Sequence, residues 1–178
     1  MITPNREFYF LRHAQTDASF NVLRKVDAGD IPLNDAGITQ AEIIEPLIGS
    51  LPIKTICCSP MKRAKQTKDI CCRSLNQVSE YELNELSECD SKIWQEMTSL
   101  GPKAAFFSNE PILSYMQRVR VGINKALSKE GPVLIVSHAG IFWAMSCLMQ
   151  IDNDWKIDNC SLVEFSYFFG RYQANKLM

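Results

Sequence analysis

The stretch FYFLRHAQT at residues 8–16 decides the interpretation of this chain, together with VLIVSHAG at residues 133–140. Each begins with four apolar residues, as expected of a strand that is buried on both faces at the centre of a sheet. Each continues with a polar residue, a histidine and an alanine, and His13 and His138 are the only histidines of the sequence. Functional sites of open α/β sheets form beyond the carboxyl ends of the strands. If the two strands are neighbours, both imidazoles meet at that edge.

Strand-like segments alternate with helical patterns along the rest of the chain, which is typical of an α/β domain with a largely parallel sheet. Further strands are predicted at residues 53–58, 78–83 and 161–168, and helices at residues 35–48, 60–73, 111–127 and 140–149. Residues 86–103 are less regular, and Pro46 is expected to kink or end the first helix. We find no linker or repeat, so residues 1–178 are expected to form a single three-layer α/β/α domain with a mostly parallel central sheet.

The composition indicates an ordinary globular protein and excludes several kinds of partner. Hydrophobic residues make up 46% of the chain and charged residues 22%, and the formal net charge is −1. A chain with so little net charge has no global positive field that would gather nucleic acid or an anionic membrane. No apolar stretch approaches the ~20 residues of a membrane span, so we expect a cytoplasmic protein.

The seven cysteines are expected to be reduced thiols that act as small core residues. Their number is odd, four of them form adjacent pairs, and no C-x-x-C spacing occurs. A metal or redox site is the alternative interpretation, but the spacing of metal ligands is missing. The sequence therefore predicts neither a metal nor another cofactor.

A basic cluster follows the point where a helix is predicted to start, with Ser59 as the N-cap and Pro60 in the first turn. Lys62, Arg63 and Lys65 come next, although a helix N-terminus disfavours cations by roughly 0.3–1 kcal/mol each. A solvated basic face explains the two lysines. An anion bound at this end of the helix explains Arg63 better, so its side chain is expected to face the site.

The two histidines, Arg12 and Arg63 would together form a basic pocket of the size of a phosphate group. Phosphoryl transfer spreads charge over three equatorial oxygens, and positioned cations stabilise that charge. A neutral imidazole nitrogen can attack phosphorus and so divide one difficult step into two easier ones. An arginine beside His13 favours the neutral imidazole. The pocket therefore predicts phosphoryl chemistry with His13 as the nucleophile.

These motifs and several others resemble, in order, those of the histidine phosphatase superfamily, also called the phosphoglycerate mutase-like family. RHAQT at residues 12–16 is similar to R-H-G-E-T, and DIPLNDAGITQA at residues 30–41 is similar to D-x-P-L-T-x-x-G-x-x-Q-A. SPMKRAKQT at residues 59–67 resembles S-P-L-x-R-A-x-Q-T, SHAG at residues 137–140 resembles S-H-G-G, and NCS at residues 159–161 resembles N-x-S. The matches run from residue 12 to residue 161 and cover most of the chain.

The resemblance implies a role for each residue of the pocket. His13 is the residue that becomes phosphorylated, and His138 also takes part in catalysis. Ser19 stands where many members of the family have asparagine. The residues that the resemblance implies for phosphate binding are Arg12, Arg63, His138, Thr16 and Ser19.

The resemblance also implies a carboxylic acid that protonates the leaving oxygen, usually a glutamate in L-x-E-x-x-F-G-x-W-E-G. LSE at residues 86–88 and Trp94 keep this spacing, so Glu88 is the first choice and Glu85 the alternative. Selectivity for a substrate is expected from residues 84–115. The aromatic residues of this segment, which either line an apolar wall of the site or belong to the core, are Trp94, Phe106, Phe107 and Tyr115.

Two departures from the family pattern bear on the site. Ala14 and Ala139 replace glycines and add methyl groups close to where backbone amides would approach the phosphate. In the acid-bearing loop, Ser91-Lys92 replace Phe-Gly and Gln95-Glu96 replace Glu-Gly. The phosphate-holding motifs are therefore intact, whereas the acid-bearing loop is altered.

The expected function is that of a metal-independent phosphomonoesterase that acts through a covalent phosphohistidine. Its partner would be a small phosphorylated metabolite or a phosphoprotein, and neither nucleic acid nor a membrane. A phosphoglycerate mutase-type transfer is the first alternative, although the family's mutases are longer chains. A non-catalytic phosphate-binding module is the second alternative, because the acid-bearing loop is altered. The sequence does not indicate an oligomeric state.

Overall fold

Six strands form one sheet with the order β3-β2-β4-β1-β5-β6. The computed structural model describes residue 2 and residues 5–20, 29–100, 110–151 and 156–178, without the side chains of residues 19 and 20. The four strands β3, β2, β4 and β1 are parallel to one another. β5 pairs antiparallel with both β1 and β6. The strands are β1 (Phe8–Arg12), β2 (Thr55–Cys58), β3 (Ser79–Glu82), β4 (Val133–Ser137), β5 (Leu162–Phe168) and β6 (Arg171–Lys176).

Helices cover both faces of this sheet. They are α1 (Asp17–Phe20), α2 (Asp35–Gly49), α3 (Lys62–Cys71), α4 (Ser91–Leu100), α5 (Glu110–Leu127) and α6 (Ala139–Met149), with a 3₁₀ helix at Asn84–Leu86. Successive strand residues face opposite sides, and they divide between two hydrophobic cores. Phe10 packs in the core that includes α5 and α6, whereas Leu11 packs in the core that includes α2 and α3. This arrangement confirms the three-layer α/β/α fold with a mostly parallel sheet.

The pairing of β1 with β4 aligns the two histidines. Arg12 lies opposite Ser137 in the parallel register. His13 directly follows Arg12 along the chain, and His138 directly follows Ser137. The His13 N–H donates to the Ser137 carbonyl at 2.8 Å. The prediction that these two strands are neighbours is therefore confirmed, and both imidazoles emerge at one edge of the sheet.

Helix α2 begins close to the segment that follows β1. Asn34 caps it, because its Oδ1 accepts from the Gly37 N–H at 2.9 Å. The Asn34 N–H donates in turn to the Gln15 carbonyl at 3.2 Å. A Cβ atom on Gly37 would lie 2.1 Å from that carbonyl oxygen, so only glycine fits here.

Helix α3 begins at Lys62 and not at Pro60, so the predicted start was wrong. Met61 is the N-cap residue and makes no side-chain cap bond. The Ser59 hydroxyl is used elsewhere, because its Oγ lies 2.7 Å from His138 Nε2 and accepts from the Met61 N–H at 3.3 Å. A serine with a partner in the site is thus not available as the cap.

Three further expectations differ from the structure. No helix was predicted in the less regular segment 86–103, but residues 91–100 form α4, which Asp90 caps by accepting from the main-chain N–H groups of residues 92 and 93 at 2.9 Å. Pro46 was expected to kink or end α2; it does not end the helix, which continues to Gly49, because Pro46 and Glu42 are exposed and water can bind the carbonyl left without its donor. β6 was not predicted, since its sequence RYQANK contains one buried side chain, Tyr172.

The cysteines agree with the expectation from the sequence. All seven cysteines are free thiols, and five of them are buried, as expected of small core residues. None of the helices in the described part of the chain is both long and apolar enough to cross a membrane.

The close approach at Gly37 gives a test of this packing. Replacing Gly37 with alanine should lower the free energy of unfolding by about 1–3 kcal/mol, because the new methyl group overlaps the Gln15 main chain. Urea unfolding measures the change. Gly29→Ala is the matched control, since a Cβ atom there meets no described atom within 4 Å. Equal stability of the two variants would contradict the close approach.

Candidate active site

A cleft of about 700 Å³ opens at the edge of the sheet where β1 ends. Small-molecule sites typically enclose roughly 300–1,000 Å³, so this cleft is large enough for a phosphate and an attached organic group. Of the residues predicted to belong to the site, those that line the cleft are Arg12, His13, Thr16, Arg63, Glu88 and Trp94.

The His13 ring is held in one tautomer. Its Nδ1 lies 2.7 Å from the Ala14 carbonyl oxygen. A carbonyl only accepts hydrogen bonds, so Nδ1 carries the proton and Nε2 keeps a free lone pair. The His13 carbonyl is also fixed, since it accepts from the Asn159 side-chain amide at 3.1 Å and from the Cys160 N–H at 3.2 Å. Both the ring and the main chain of His13 are therefore held in place.

The surroundings keep the His13 imidazole neutral. Burial lowers its pKa to about 3, and the positive charges of Arg12 and Arg63 act in the same direction. A protonated ring would have no lone pair for attack on phosphorus. The His13 imidazole is therefore uncharged over the whole neutral pH range.

His138 lies behind His13 and is fully buried. The two ring centroids are 5.1 Å apart and the ring planes are inclined by 57°. Burial lowers the pKa of His138 well below its usual value, with further contributions from His13 and Arg63. His138 Nδ1 has no hydrogen-bond partner within the described part of the chain. His138 is not among the residues that line the cleft.

Arg12 and Arg63 supply the positive charge of the cleft. Arg12 Nη1 donates to the Ile157 carbonyl, and its Nε is buried without a partner among the described residues. Arg63 is 9% exposed and packs against the Met61 sulfur. Burial lowers the pKa of both guanidiniums, and the Glu88 carboxylate acts against this effect. Guanidinium groups remain protonated in proteins, so both charges are available to an anion.

The two lysines of the predicted basic cluster, unlike Arg63, do not line the cleft. Lys65 forms an ion pair with Glu82 at 3.0 Å, and the Lys62 side chain is exposed. The Lys62 N–H donates to Asp30 at the first turn of α3. Both lysines therefore belong to a solvated face, as the sequence indicated, and Arg63 alone of the three lines the cleft.

The Glu88 carboxyl group lies at the start of α6. Its Oε2 accepts from the Gly140 N–H at 3.1 Å, and its Oε1 accepts from the Cys89 N–H at 3.0 Å. The Tyr115 hydroxyl is 3.4 Å from Oε1. A Cβ atom on Gly140 would be 2.2 Å from Oε1, so this glycine makes room for the carboxyl group.

Glu85, the alternative acid, lies elsewhere. Its carboxyl group forms an ion pair with Lys125 of α5, and the hydrogen bond from Lys125 lowers the Glu85 pKa. Glu85 is not among the residues that line the cleft. Of the two candidates, the structure brings Glu88 into the site and leaves Glu85 outside it.

The other predicted residues are divided in the same way. Thr16 is buried and lines the cleft, whereas the side chain of Ser19 lies outside the described part of the structure. Trp94 lines the cleft, and Tyr115 belongs to the core. Phe106 and Phe107 also lie outside the described residues.

The two alanines that replace family glycines have different positions. Ala139 lines the cleft at the first turn of α6, as expected. Ala14 is fully buried in the core that contains α2 and α3, and its N–H donates to Thr67 Oγ1 at 2.9 Å. The expectation that the Ala14 methyl group crowds the phosphate was therefore wrong, because neither its methyl group nor its amide faces the cleft.

Sequence reasoning assigned no role to Thr67, which supports the site. Thr67 joins the segment after β1 to α3, because its hydroxyl donates to the Arg63 carbonyl at 2.7 Å while it accepts from the Ala14 N–H. Thr67 lies inside the motif at residues 59–67, so the motif itself contained the signal.

A second cleft of about 590 Å³ shares Arg12, Trp94 and Ala139 with the first and extends to residues 156–158. In the described part of the chain, no three His, Cys, Asp or Glu side chains are grouped to hold a metal ion.

Comparison with known proteins identifies the family of the chain. The family model of the histidine phosphatase superfamily (branch 1) matches residues 8–177. The chain therefore belongs to the histidine phosphatase superfamily.

Solved structures of phosphatases and mutases share its fold. A mycobacterial glucosyl-3-phosphoglycerate phosphatase in complex with VO3 is 19% identical with a TM-score of 0.71, over 97% of this chain and 98% of that one. A phosphoglycerate mutase from Bacillus anthracis is 17% identical with a TM-score of 0.71, over 97% of this chain and 92% of that one. The alpha-ribazole phosphatase from Shigella flexneri is 18% identical with a TM-score of 0.67, over 96% and 95%.

Two curated relatives are called agropine synthesis reductase and come from Rhizobium rhizogenes. One is 29% identical over 163 residues and the other 28% identical over 162 residues. The matches include 83% and 82% of this chain, but the chain spans only 36% of the length of each relative.

The buried neutral histidines predict that acid destabilises the protein. The pKa of His13 is about 3 and that of His138 is also lowered, whereas an unfolded histidine titrates near 6.5. Below pH 6.5 the unfolded chain therefore binds more protons than the folded one. The free energy of unfolding should fall from pH 6.5 to about pH 4, by up to about 1.4 kcal/mol per pH unit for each histidine. Urea unfolding at a series of pH values measures this slope. A His13→Gln variant should show a smaller slope, and an unchanged slope would contradict the lowered pKa.

Proposed function

We propose that this chain is a cytoplasmic, metal-independent phosphomonoesterase that forms a covalent phosphohistidine on His13. The observation that carries the proposal is the orientation of His13. Its Nδ1 proton is committed to the Ala14 carbonyl, so the lone pair of Nε2 remains in a cleft that Arg12 and Arg63 also line. Membership of the histidine phosphatase superfamily supports the same reaction.

In the first step, His13 Nε2 attacks the phosphorus atom of a phosphate monoester. The N–P bond forms while the bond from phosphorus to the ester oxygen breaks. Arg12 and Arg63 stabilise the charge on the equatorial oxygens, and Thr16 and His138 Nδ1 are further candidates to donate to them. The leaving oxygen takes a proton from the Glu88 carboxyl group.

In the second step, water hydrolyses the phosphohistidine. Glu88, now a carboxylate, accepts a proton from the water while the water oxygen bonds to phosphorus. The N–P bond breaks, inorganic phosphate leaves, and His13 Nε2 recovers its lone pair. Glu88 is protonated again, so the cycle closes without a metal or another cofactor.

The Glu88 carboxyl group interacts with the guanidiniums of both Arg12 and Arg63. A phosphate ester bound between these guanidiniums would therefore also face Glu88, as a proton donor to the leaving oxygen requires.

The organic part of the substrate would lie against Trp94. This side chain lines both the main cleft and the adjoining cleft of about 590 Å³. Arg12 and Ala139 also line both clefts, so the two clefts adjoin each other at these residues. We therefore expect a phosphorylated metabolite, or a phosphorylated side chain of a protein, that reaches along this wall.

The proposal makes His13 indispensable for both turnover and the intermediate. His13→Ala should abolish the hydrolysis of p-nitrophenyl phosphate and the trapping of an acid-labile, base-stable phosphoenzyme. Steady-state assays and denaturing quench with labelled substrate measure the two. Lys65→Ala is the control on the cleft's neighbouring helix, because Lys65 pairs with Glu82 outside the cleft.

The same measurements separate the alternatives. A phosphoenzyme that transfers its phosphate to an added acceptor rather than to water would favour a mutase. Binding of vanadate without any turnover between pH 5 and pH 8 would favour a phosphate-binding module. Full activity of the His13→Ala variant would refute the proposed nucleophile.

Glu88→Gln tests the proposed acid. Phenyl phosphate has a poor leaving group and should lose about 10²–10⁴-fold in kcat/KM, whereas p-nitrophenyl phosphate, whose leaving group needs no proton, should lose little. Glu85→Gln is the matched control, since Glu85 pairs with Lys125 outside the cleft. Equal losses for the two substrates would show that Glu88 does not donate the proton.

A further inference from the structure

The loop that carries Glu88 is fixed by side chains that bind its main chain. The carbonyl groups of residues 85, 87 and 88 accept from the guanidinium of Arg118 at 3.0, 2.7 and 3.4 Å. The carbonyl of the remaining residue, Leu86, accepts from the Ser137 hydroxyl at 2.8 Å. Four consecutive carbonyl groups are therefore held by two side chains, which we call the carbonyl clamp.

Each half of the clamp comes from an element that already supports the site. Ser137 is the last residue of β4 and directly precedes His138. Arg118 belongs to α5, which lies so close to the loop that a Cβ atom on Gly122 would be 2.8 Å from the Glu85 Cβ. The clamp thus connects the loop both to the strand of the second histidine and to a helix of the core.

Arg118 also acts on the carboxyl group through Tyr115. The guanidinium carbon lies 4.8 Å from the centre of the Tyr115 ring, a cation–π distance. The Tyr115 hydroxyl reaches Glu88 Oε1 at 3.4 Å. Burial raises the pKa of this tyrosine, so the hydroxyl keeps its proton as a donor. One helix therefore holds Glu88 at its main chain and at its carboxyl group.

Two features favour a guanidinium at this point. The carbonyls at the end of the short helix Asn84–Leu86 lack helical partners, and cations bind such groups well. The planar fork of arginine can serve several acceptors at once, which a lysine ammonium on a flexible stem does less well. The side chain that binds three carbonyls of this loop is thus suited to fix its path.

We propose that Arg118 is a positioning residue that sets where the Glu88 carboxyl group stands relative to His13. The proposal rests on the function proposed above for Glu88. A general acid must be within hydrogen-bond reach of the leaving oxygen, about 2.6–3.2 Å. Releasing three of the four carbonyls would let the loop move, and proton donation would fail before phosphate binding does.

The leaving-group dependence of the rate tests this proposal. Arg118→Met should lower kcat/KM at least about tenfold for phenyl phosphate and less than about threefold for p-nitrophenyl phosphate. Arg118→Lys should restore part of the loss. Arg120→Met is the matched control, since it removes the same charge from the same helix. If Arg118→Met fails to fold, Tyr115→Phe keeps the ring and removes only the hydroxyl that reaches Glu88, and it should shift the ratio in the same direction. Equal losses for both substrates would overturn the proposal.

A second readout does not depend on turnover. The N–H groups of Cys89 and Gly140 both donate to the Glu88 carboxyl group, so their hydrogen exchange reports its position. Both amides should exchange about tenfold faster in Arg118→Met than in the wild type or Arg120→Met. Unchanged exchange would overturn the clamp. If the wild type does not hydrolyse either ester, the function proposed above fails, and this exchange measurement then decides the clamp by itself.

Discussion

The parallel pairing of β1 with β4 is the constraint on which the site depends. The register places Arg12 opposite Ser137, so the next residue of each strand is a histidine at the same edge of the sheet. A slip of one residue would send alternate side chains to the opposite faces. It would separate the two imidazoles and would also exchange the residues of the two hydrophobic cores. The packing of both hydrophobic cores therefore fixes the strand register, and with it the distance between the two imidazole rings.

The segments around this edge are joined by bonds from side chains to main-chain groups. Thr67 binds the Ala14 amide, Asn159 binds the His13 carbonyl, and Gln40 accepts from the Gln15 N–H at 3.0 Å. These bonds come from three different parts of the chain and meet within three consecutive residues after β1. The end of the strand is thereby held in place, as the proposed role of His13 requires. The carbonyl clamp extends the same principle to the segment that holds Glu88.

The sequence predicted the central strands, the neighbouring histidines and the place of Arg63, because these depend on short apolar runs and on local motifs. It was wrong where a side chain has a distant partner. Ser59 was expected to cap α3 but contacts His138, and Ala14 was expected near the phosphate but packs in the core. The helix α4 was missed, although Asp90 followed by apolar residues at 93, 94 and 97 is a helix start that could have been read. Arg118 could not be assigned, since its partners lie about thirty residues earlier in the chain.

The neutral imidazoles and the permanently charged guanidiniums together determine how the attraction of the cleft for an anion depends on pH. Arginine does not titrate in the neutral range, and the two rings are already uncharged there. The attraction for a phosphate ester then follows the ester's own second ionisation, near pH 6. The two guanidiniums would therefore attract the dianion more strongly than the monoanion, because the ligand itself carries the additional charge.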